Sequence, residues 1–409
     1  MKLLPALLAA VLFPLNFASA SDFGLEGVGA AHFKAERAAV PGPAAPELPE
    51  WTVLFYGEGK SSAEGLSLDA VNMIEEGGGS AAGVTYAAEL SRGRGQFYDD
   101  PADGDWTGAR RYRLLKDDHF ALIRSPVLQS FDKVDTGDWR HLADFIRWGK
   151  TNFPARRYAL VILGHGSAWR DISVNKGLAL DEETGRGIEN PELARAIAAS
   201  GGKLDLLVMN ACLMQSVETL YDLKDSAAYI VGSENLMRGL PYEKVVPELN
   251  ASPAMAADEL ARLFVRKHDE AYSKYAYQNP TLSAVDASRL PRFFTLLDGW
   301  SRAAIKSGSK KTIGRQLDAA YGFDNSQKDA KDLADLVRLV GSTARDGALE
   351  ALSRELAAYI AEELVIGSFG ADPRVTGVAA YMPARYDKAY DALAISRDTA
   401  WDDFLKEIR

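Results

Sequence analysis

Two apolar runs in this chain each end in a chemically reactive side chain. Tyr158 to Leu163 leads directly into Gly164-His165-Gly166, and Leu204 to Met209 leads into Asn210-Ala211-Cys212. Continuous apolar runs of this length are typical of strands that are buried on both faces of a parallel sheet. Because reactive groups gather at the carboxyl ends of such strands, the pattern predicts that His165 and Cys212 lie at one edge of a single sheet.

The remaining pattern alternates between strands and helices. Helical spacing of apolar residues follows at Leu66 to Glu76, Leu142 to Trp148 and Pro191 to Ser200, with strand-like runs between them. This alternation predicts an α/β fold with a mostly parallel central sheet covered by helices on both faces. A further helix is predicted from about Leu213 to Leu223, directly after Cys212, where its dipole would stabilise a thiolate.

The amino-terminal part of the chain has a different composition. Residues 1–20 combine Lys2, an apolar stretch and Ala18-Ser19-Ala20, which predicts a secretory signal cut after Ala20 and a secreted or periplasmic protein. Residues 21–49 are rich in Ala, Gly and Pro and are predicted to be a flexible spacer. The folded domain is therefore expected over residues 50–409.

Composition excludes several classes of protein. The formal net charge of -10 argues against a nucleic-acid partner, since phosphate binding needs a basic surface. A single cysteine cannot form an internal disulfide, and no later stretch is apolar enough to span a membrane. No cofactor is expected. The acidic run Asp99 to Asp105 leaves weak support for calcium, but its spacing does not match an EF-hand, and an exposed acidic turn is the favoured interpretation.

The two strand ends carry the residue types that thiol catalysis needs. His165 is predicted to move protons for a Cys212 nucleophile, and the backbone N–H groups of Gly166 and Cys212 are predicted to form an oxyanion hole. The alternative is that Cys212 is a small buried apolar residue. None of the four other histidines follows an apolar strand, and no zinc-peptidase helix, serine-hydrolase elbow or P-loop motif occurs.

Several segments in order resemble the clostripain-like cysteine peptidases, relatives of gingipains, legumain and caspases. The resemblance runs from about Trp51 to the carboxyl terminus. The matching segments are Trp51-Thr52-Val53-Leu54, Trp106 to Tyr112, Leu142 to Gly166, Asn210 to Met214, Thr281 to Asp286, Ala380 to Pro383 and Trp401 to Leu405. The resemblance implies a caspase–hemoglobinase α/β/α sandwich, a dyad of His165 and Cys212, and protein or peptide substrates cut by way of an acyl-enzyme thioester.

The chain departs from this family at the expected substrate pocket. Relatives that cut after Arg or Lys usually carry Asp two residues before the cysteine, where this chain has Asn210, and their acidic loop is replaced here by residues 233–242. Asn210, Ser233 and Glu234 are predicted to contact substrate, with Glu234 as a candidate carboxylate for a basic side chain. These changes keep two alternatives open, a catalytically degenerate binding or scaffold protein and, more remotely, a calcium-dependent adhesion module.

The polar segment between the two strands, residues 171–190, is predicted to be a mobile surface loop. Several relatives are made as zymogens that are cut after the catalytic histidine. By this resemblance the segment is a candidate activation site, with Lys176 and Arg186 as its basic residues.

Overall fold

The structure is a computed structural model, and it describes residues 48–94, 99–169, 171–172, 175–323 and 329–408. The predicted signal segment and nearly all of the predicted spacer, up to residue 47, lie outside the described residues. The statements that follow concern the described residues.

A nine-stranded sheet forms the centre of the fold, and short two-stranded sheets accompany it. The strands of the described residues, in chain order, are β1 (Trp51–Gly57), β2 (Val84–Arg92), β3 (Gly108–Arg113), β4 (Val127–Phe131), β5 (Arg157–Leu163), β6 (Asp171–Ile172), β7 (Asn175–Lys176), β8 (Leu178–Asp181), β9 (Arg186–Ile188), β10 (Leu204–Asn210), β11 (Ala227–Gly232), β12 (Thr281–Asp286), β13 (Ala330–Asp332), β14 (Val365–Gly370) and β15 (Ala379–Tyr381). The large sheet has the order β14-β12-β11-β10-β5-β1-β2-β3-β4.

The five strands at the centre of this sheet run parallel. They are β11, β10, β5, β1 and β2, and an antiparallel pair of strands extends the sheet at each edge. Strands β5 and β10 are hydrogen-bonded neighbours, with Leu163 opposite Asn210 at their carboxyl ends. This arrangement confirms the predicted α/β class, and it brings the ends of the two strands that were singled out in the sequence side by side.

Helices cover both faces of the sheet. They are α1 (Glu64–Glu76), α2 (Trp139–Asn152), α3 (Asn190–Ala199), α4 (Val217–Leu223), α5 (Tyr242–Ala251), α6 (Ala257–Tyr272), α7 (Leu290–Lys306), α8 (Lys310–Ala319), α9 (Leu333–Thr343), α10 (Gly347–Tyr359), α11 (Ala394–Asp398) and α12 (Trp401–Ile408). No helix among the described residues is both long enough and apolar enough to cross a bilayer.

The alternation of side chains along the central strands divides the core into two layers. Leu54 and Leu160 point to one face, where they pack with α2, α3, α4 and α7. Val53 and Val161 point to the other face, where they pack with α1, α5 and α6. Successive side chains of a strand point to opposite faces, so each central strand buries apolar groups on both sides. The result is the predicted α/β/α sandwich.

Two local expectations differ from the structure. Helix α4 begins at Val217 rather than Leu213, because Leu213 has a positive φ of 64° and the Ser216 side chain caps the helix by accepting from the Thr219 N–H. The apolar run Val375 to Met382 predicts a last strand, but it forms only the short β15, which pairs with β13 outside the large sheet. The edge of that sheet is instead β14, which lacks the continuous apolar pattern of a central strand.

The segment 171–190 is more ordered than the polar sequence indicates. It forms two antiparallel pairs, β6 with β7 and β8 with β9. Strand β8 is fully buried, and its Asp181 forms an ion pair of 3.2 Å with the buried Lys60 and accepts hydrogen bonds from Thr136. Arg186 remains exposed and pairs with Asp135. The prediction of a single mobile surface loop is therefore wrong for the β8 part, because its carboxylate is buried with a cation.

Candidate active site

The carboxyl ends of β1, β5, β10 and β11 meet at one edge of the sheet. His165 follows β5 by two residues, and Cys212 follows β10 by two residues. Since the two strands are hydrogen-bonded neighbours, their reactive side chains open into the same cleft of about 170 Å³. The structure thus brings together the two residues that the strand pattern predicts.

The walls of this cleft come from α1 and the residues just before it, from the ends of β5 and β10, from the segment after β11, and from the helices α5 and α6. The lining residues are Ser62, Ala63, Leu66, Asp69, Ala70, Met73, Leu163, Gly164, His165, Asn210, Cys212, Met237, Arg238, Gly239, Leu240, Tyr242 and Tyr272. Most of these side chains are apolar or aromatic. The reactive pair therefore lies beside a mainly apolar hollow.

The Cys212 thiol is half-buried and has a backbone partner. Its Sγ accepts a hydrogen bond of 3.2 Å from the N–H of Met237, a residue of the segment after β11. Burial raises the pKa of the Cys212 thiol, and the hydrogen bond from Met237 opposes that shift. Because α4 starts five residues beyond Cys212, backbone N–H groups near the thiol take the place of the expected helix dipole.

His165 is held by a residue that sequence analysis did not identify. Its Nε2 atom lies 2.7 Å from the hydroxyl oxygen of Ser62, which follows β1 just before α1. Burial lowers the pKa of His165, while the negative charge of Glu182 acts in the opposite direction. No hydrogen bond joins Cys212 to His165 among the described residues, so each is held by its own neighbour. The sequence signal that could have identified Ser62 is its position after β1, a third strand whose carboxyl end lies at the same edge of the sheet.

The loop that carries Cys212 has an unusual backbone. Leu213 adopts a left-handed conformation with φ of 64°, which is uncommon for a residue with a branched side chain. Its N–H donates to the carbonyl oxygen of Asn235, and the N–H of Gln215 donates to that of Ser233. Strained backbone of this kind persists when surrounding bonds fix it, and it concentrates at functional sites.

Gly166 packs against this loop at very short range. A Cβ atom added at Gly166 would lie 2.4 Å from the carbonyl oxygen of Cys212 and 2.9 Å from Cβ of Ala211. Real Cβ atoms do not approach backbone oxygen this closely, so only glycine fits here without movement of the loop. The absence of a side chain lets the backbone after His165 lie directly against the backbone of Cys212.

The three residues expected to contact substrate lie in different environments. Asn210 lines the cleft, with its amide group donating a hydrogen bond of 2.9 Å to the Tyr242 hydroxyl. Ser233 is fully buried and bonds to Thr281 and to the carbonyl oxygen of Asn235. Glu234 is also fully buried and does not line the cleft. The structure therefore brings only Asn210 of these three beside the reactive pair.

The Glu234 carboxyl belongs to a buried acidic pair that adjoins the segment bonded to the Cys212 loop. One of its oxygens accepts from the Gly377 N–H at 3.0 Å, and its carboxyl faces that of Asp332. Burial and the nearby Asp332 charge hold the pKa of Glu234 well above its usual range, and burial raises the pKa of Asp332 to about 6. Asp332 also caps α9 and accepts from Thr376. The pair joins the segment after β11 to distant parts of the chain.

The acidic run Asp99 to Asp105, considered above as a calcium site, contains a carboxylate that is bonded to protein groups. The two carboxylate oxygens of Asp103 accept from the Trp106 indole and from the Ile123 N–H. Within the described ranges, which omit residues 95–98 beside this run, no three His, Cys, Asp or Glu side chains are grouped so as to hold a metal ion.

Comparison with known proteins finds relatives in sequence and in fold. The chain is 23% identical over 225 residues to clostripain of Hathewaya histolytica, a match that covers 49% of this chain and 42% of clostripain. The chain thus spans less than half the length of that relative.

Solved structures share the fold. A secreted C11 cysteine protease from Bacteroides thetaiotaomicron, bound to an irreversible peptide inhibitor, superposes with a TM-score of 0.64 at 20% identity and covers 87% of this chain and 99% of its own. An inactive zymogen C11 protease from Parabacteroides distasonis gives 0.62 at 18% identity, with the same coverage. The sequence model of the clostripain family, peptidase family C11, matches residues 102–407, which is about three quarters of the chain. This protein belongs to the clostripain family.

Proposed function

We propose that this protein is a cysteine endopeptidase that cuts peptide bonds with Cys212 as nucleophile and His165 as the proton carrier. One observation carries the proposal: Cys212 and His165 end two hydrogen-bonded parallel strands and line the same cleft. Membership in the clostripain family supports the same conclusion. The expected substrates are proteins or peptides, and the proposed reaction uses no cofactor.

The first half of the reaction forms an acyl-enzyme. Cys212 Sγ attacks the carbonyl carbon of the scissile bond while its proton passes to His165, and the carbonyl oxygen becomes an oxyanion. The N–H groups of Gly166 and Cys212 are proposed to hold that oxyanion, which the close approach of the two backbones supports. His165 then protonates the leaving amine, the C–N bond breaks, and the acyl group remains on sulfur as a thioester.

Hydrolysis of the thioester completes the cycle. His165 takes a proton from water, the resulting hydroxide attacks the thioester carbonyl carbon, and the C–S bond breaks. The thiol regains its proton from His165. The Ser62 hydroxyl lies at Nε2, so Nδ1 is the ring nitrogen left for these transfers. In the proposed tautomer Nε2 carries the proton and donates it to Ser62. Ser62 is therefore proposed as a residue that positions His165.

The protein is also proposed to act outside the cytoplasm, after removal of residues 1–20. The composition of that segment supports export, and the structurally similar protease from Bacteroides thetaiotaomicron is described as secreted. Cutting within residues 171–190 remains a proposal for activation. The exposed Arg186 is available for it, whereas the buried β8 is not.

Purified protein without residues 1–20 tests the proposed activity. We expect it to cut a mixed library of quenched-fluorescence peptides, and we expect Cys212→Ala and His165→Ala to lower kcat/KM by about three orders of magnitude or more. Unchanged melting temperatures of both variants would show that the fold survives. Activity that persists in Cys212→Ala would refute the dyad. An inactive but folded wild type, intact and cut alike, would favour the binding or scaffold alternative.

A further inference from the structure

Part of the lining of the cleft beside Cys212 is shielded from solvent, and we call these buried residues the deep end of the cleft. Six of its lining residues are at most 4% exposed. They are Ala63, Ala70, Leu163, Asn210, Leu240 and Tyr242. Four of the six have apolar side chains, and two of these four are the small side chains of alanine. A substrate side chain that fills the deep end would therefore displace water from it.

The two polar groups at the deep end bind each other. The Asn210 amide donates to the Tyr242 hydroxyl at 2.9 Å, and the Tyr242 ring stands edge-on to Phe55 with 5.7 Å between ring centres. Burial raises the pKa of Tyr242 far above its usual range, so the hydroxyl is neutral at physiological pH. The deep end therefore carries no net charge, and part of its hydrogen-bonding capacity is already used.

The outer rim of the cleft is apolar with one charge of each sign. Leu66 is 52% exposed, and Met73, Met237 and Tyr272 are half-buried around the opening. Asp69 on α1 and Arg238 on the segment after β11 are both exposed at the rim. Charges in solvent attract an incoming charged group weakly, and opposite charges at one opening offset each other. The rim therefore attracts a charged substrate side chain only weakly.

We propose that this cleft is the pocket for the substrate residue before the cut bond (P1) and that it selects an uncharged, apolar side chain such as Leu, Met or Phe. The proposal rests on the proposed peptidase function, since it locates the cut bond at Cys212. An ammonium or guanidinium group would lose its hydration at the deep end and meet only a neutral amide and a hydroxyl in return. A carboxylate would likewise find no cation among the buried lining residues. Asn210 and Tyr242 keep the deep end neutral.

A set of fluorogenic peptides that differ only at P1 tests this inference in the wild-type protein. We expect kcat/KM for Leu, Met and Phe to exceed that for Arg, Lys, Asp and Glu by at least tenfold, which is the scale of discrimination that apolar pockets provide. A preference for Arg or Lys, or for Asp or Glu, would overturn the proposal while leaving the peptidase function in place.

Three variants assign the preference to the deep end. Asn210→Asp introduces a carboxylate there, and we expect it to raise the ratio of Lys or Arg cleavage to Leu cleavage by at least tenfold. Asp69→Asn and Arg238→Gln are the matched changes at the rim, and we expect both to keep the wild-type order of P1 residues. Loss of Arg and Lys cleavage in Asp69→Asn would show instead that the rim carboxylate selects a basic residue.

Binding without turnover separates this inference from the proposed function. Calorimetry with folded Cys212→Ala protein measures the affinity for the same peptides when no bond is cut. We expect the Leu peptide to bind at least tenfold more tightly than the Arg and Asp peptides, whether or not the wild type cleaves them. Equal affinity for the three peptides, or no binding of any, would overturn the assignment of the pocket.

Discussion

The cleft and the buried acidic pair lie at the ends of adjacent strands and use their polar groups in opposite ways. In the cleft, after β10, Cys212 has one backbone donor, and the Asn210 amide has one hydroxyl partner. Behind it, after β11, Glu234 is closed off from solvent and bonded to the Gly377 N–H beside Asp332. Polar groups beside open space remain available to a substrate, whereas groups enclosed among fixed neighbours hold a loop in place.

The two regions are mechanically connected. The segment 233–235 accepts backbone hydrogen bonds from Leu213 and Gln215, which follow Cys212 in its loop. The hydroxyl of Thr281 accepts from the N–H groups of Glu234 and Asn235. The acidic pair thus holds the segment that holds Cys212. A carboxylate that follows the strand next to that of a reactive cysteine can therefore support the cysteine's loop rather than bind substrate. Three experiments test this difference between the cleft and the buried acidic pair.

The largest effect is expected from a change that forces the backbones of Gly166 and Cys212 apart. Gly166→Ala would place a methyl group 2.4 Å from the Cys212 carbonyl oxygen, so the loop must move. A displacement of about 1 Å at a catalytic site costs on the order of a hundredfold in rate, and we expect kcat/KM to fall by about that factor or more. Peptide cleavage kinetics and thermal unfolding measure the two consequences separately.

Gly299→Ala is the matched control for this change. Gly299 lies inside α7 with no atom within 4 Å of an added Cβ, so we expect full activity and a gain in stability of about 0.5–1 kcal/mol. If Gly166→Ala retained wild-type kinetics, the close approach of Gly166 to Cys212 would have no role in catalysis.

The second experiment concerns the acidic pair and acts on stability rather than on the chemistry. The folded protein holds protons on Glu234 and Asp332 more tightly than the unfolded chain does, because both pKa values are raised in the fold. The stability that these bound protons contribute is fully present below the ordinary carboxyl pKa of about 4. It is lost as the pH rises through the raised pKa values, and each proton changes the free energy of unfolding by up to about 1.4 kcal/mol per pH unit. We expect the unfolding free energy to fall from pH 5 to pH 8.

Glu234→Gln should flatten that dependence. The glutamine oxygen can still accept from the Gly377 N–H, its amide can donate to Asp332, and no second negative charge develops beside Asp332. Urea unfolding at several pH values between 5 and 8 measures the slope, with the exposed Glu76→Gln as control. Parallel pH profiles for Glu234→Gln and the wild type would show that the pair does not titrate as described.

The smallest effect is expected from loss of the hydroxyl that holds His165. In Ser62→Ala the ring loses its bond at Nε2, and we expect kcat/KM to fall by about tenfold with little change in the melting temperature. Burial already lowers the pKa of His165, so the acid limb of the pH–rate profile should lie below the ordinary histidine value. Loss of the acceptor for Nε2–H should move that limb lower still.

Ser62→Thr keeps a hydroxyl at the same position and is the conservative counterpart. We expect it to restore most of the rate and the wild-type acid limb. A Ser62→Ala enzyme with an unchanged pH–rate profile would mean that Ser62 does not position His165.

Sequence reasoning was most successful where a pattern depends on the strand itself. The apolar runs before His165 and Cys212 are β5 and β10, and their ends meet because parallel neighbours end at the same edge. It was less successful where a contact joins distant segments. Ser62 and Met237 contact the reactive side chains from 103 and 25 residues away, and neither carries a local pattern of its own.

The sequence by itself determined the α/β class, the two-sided core, and the location of His165 and Cys212, since the periodicity of apolar residues is set by the backbone geometry of each element. Only the tertiary structure decided that helix α4 starts beyond Leu213, that β8 is buried, and that Glu234 faces Asp332 instead of the cleft. These outcomes depend on which distant groups satisfy a given polar atom. That choice is made when segments far apart in the chain pack together and exclude water.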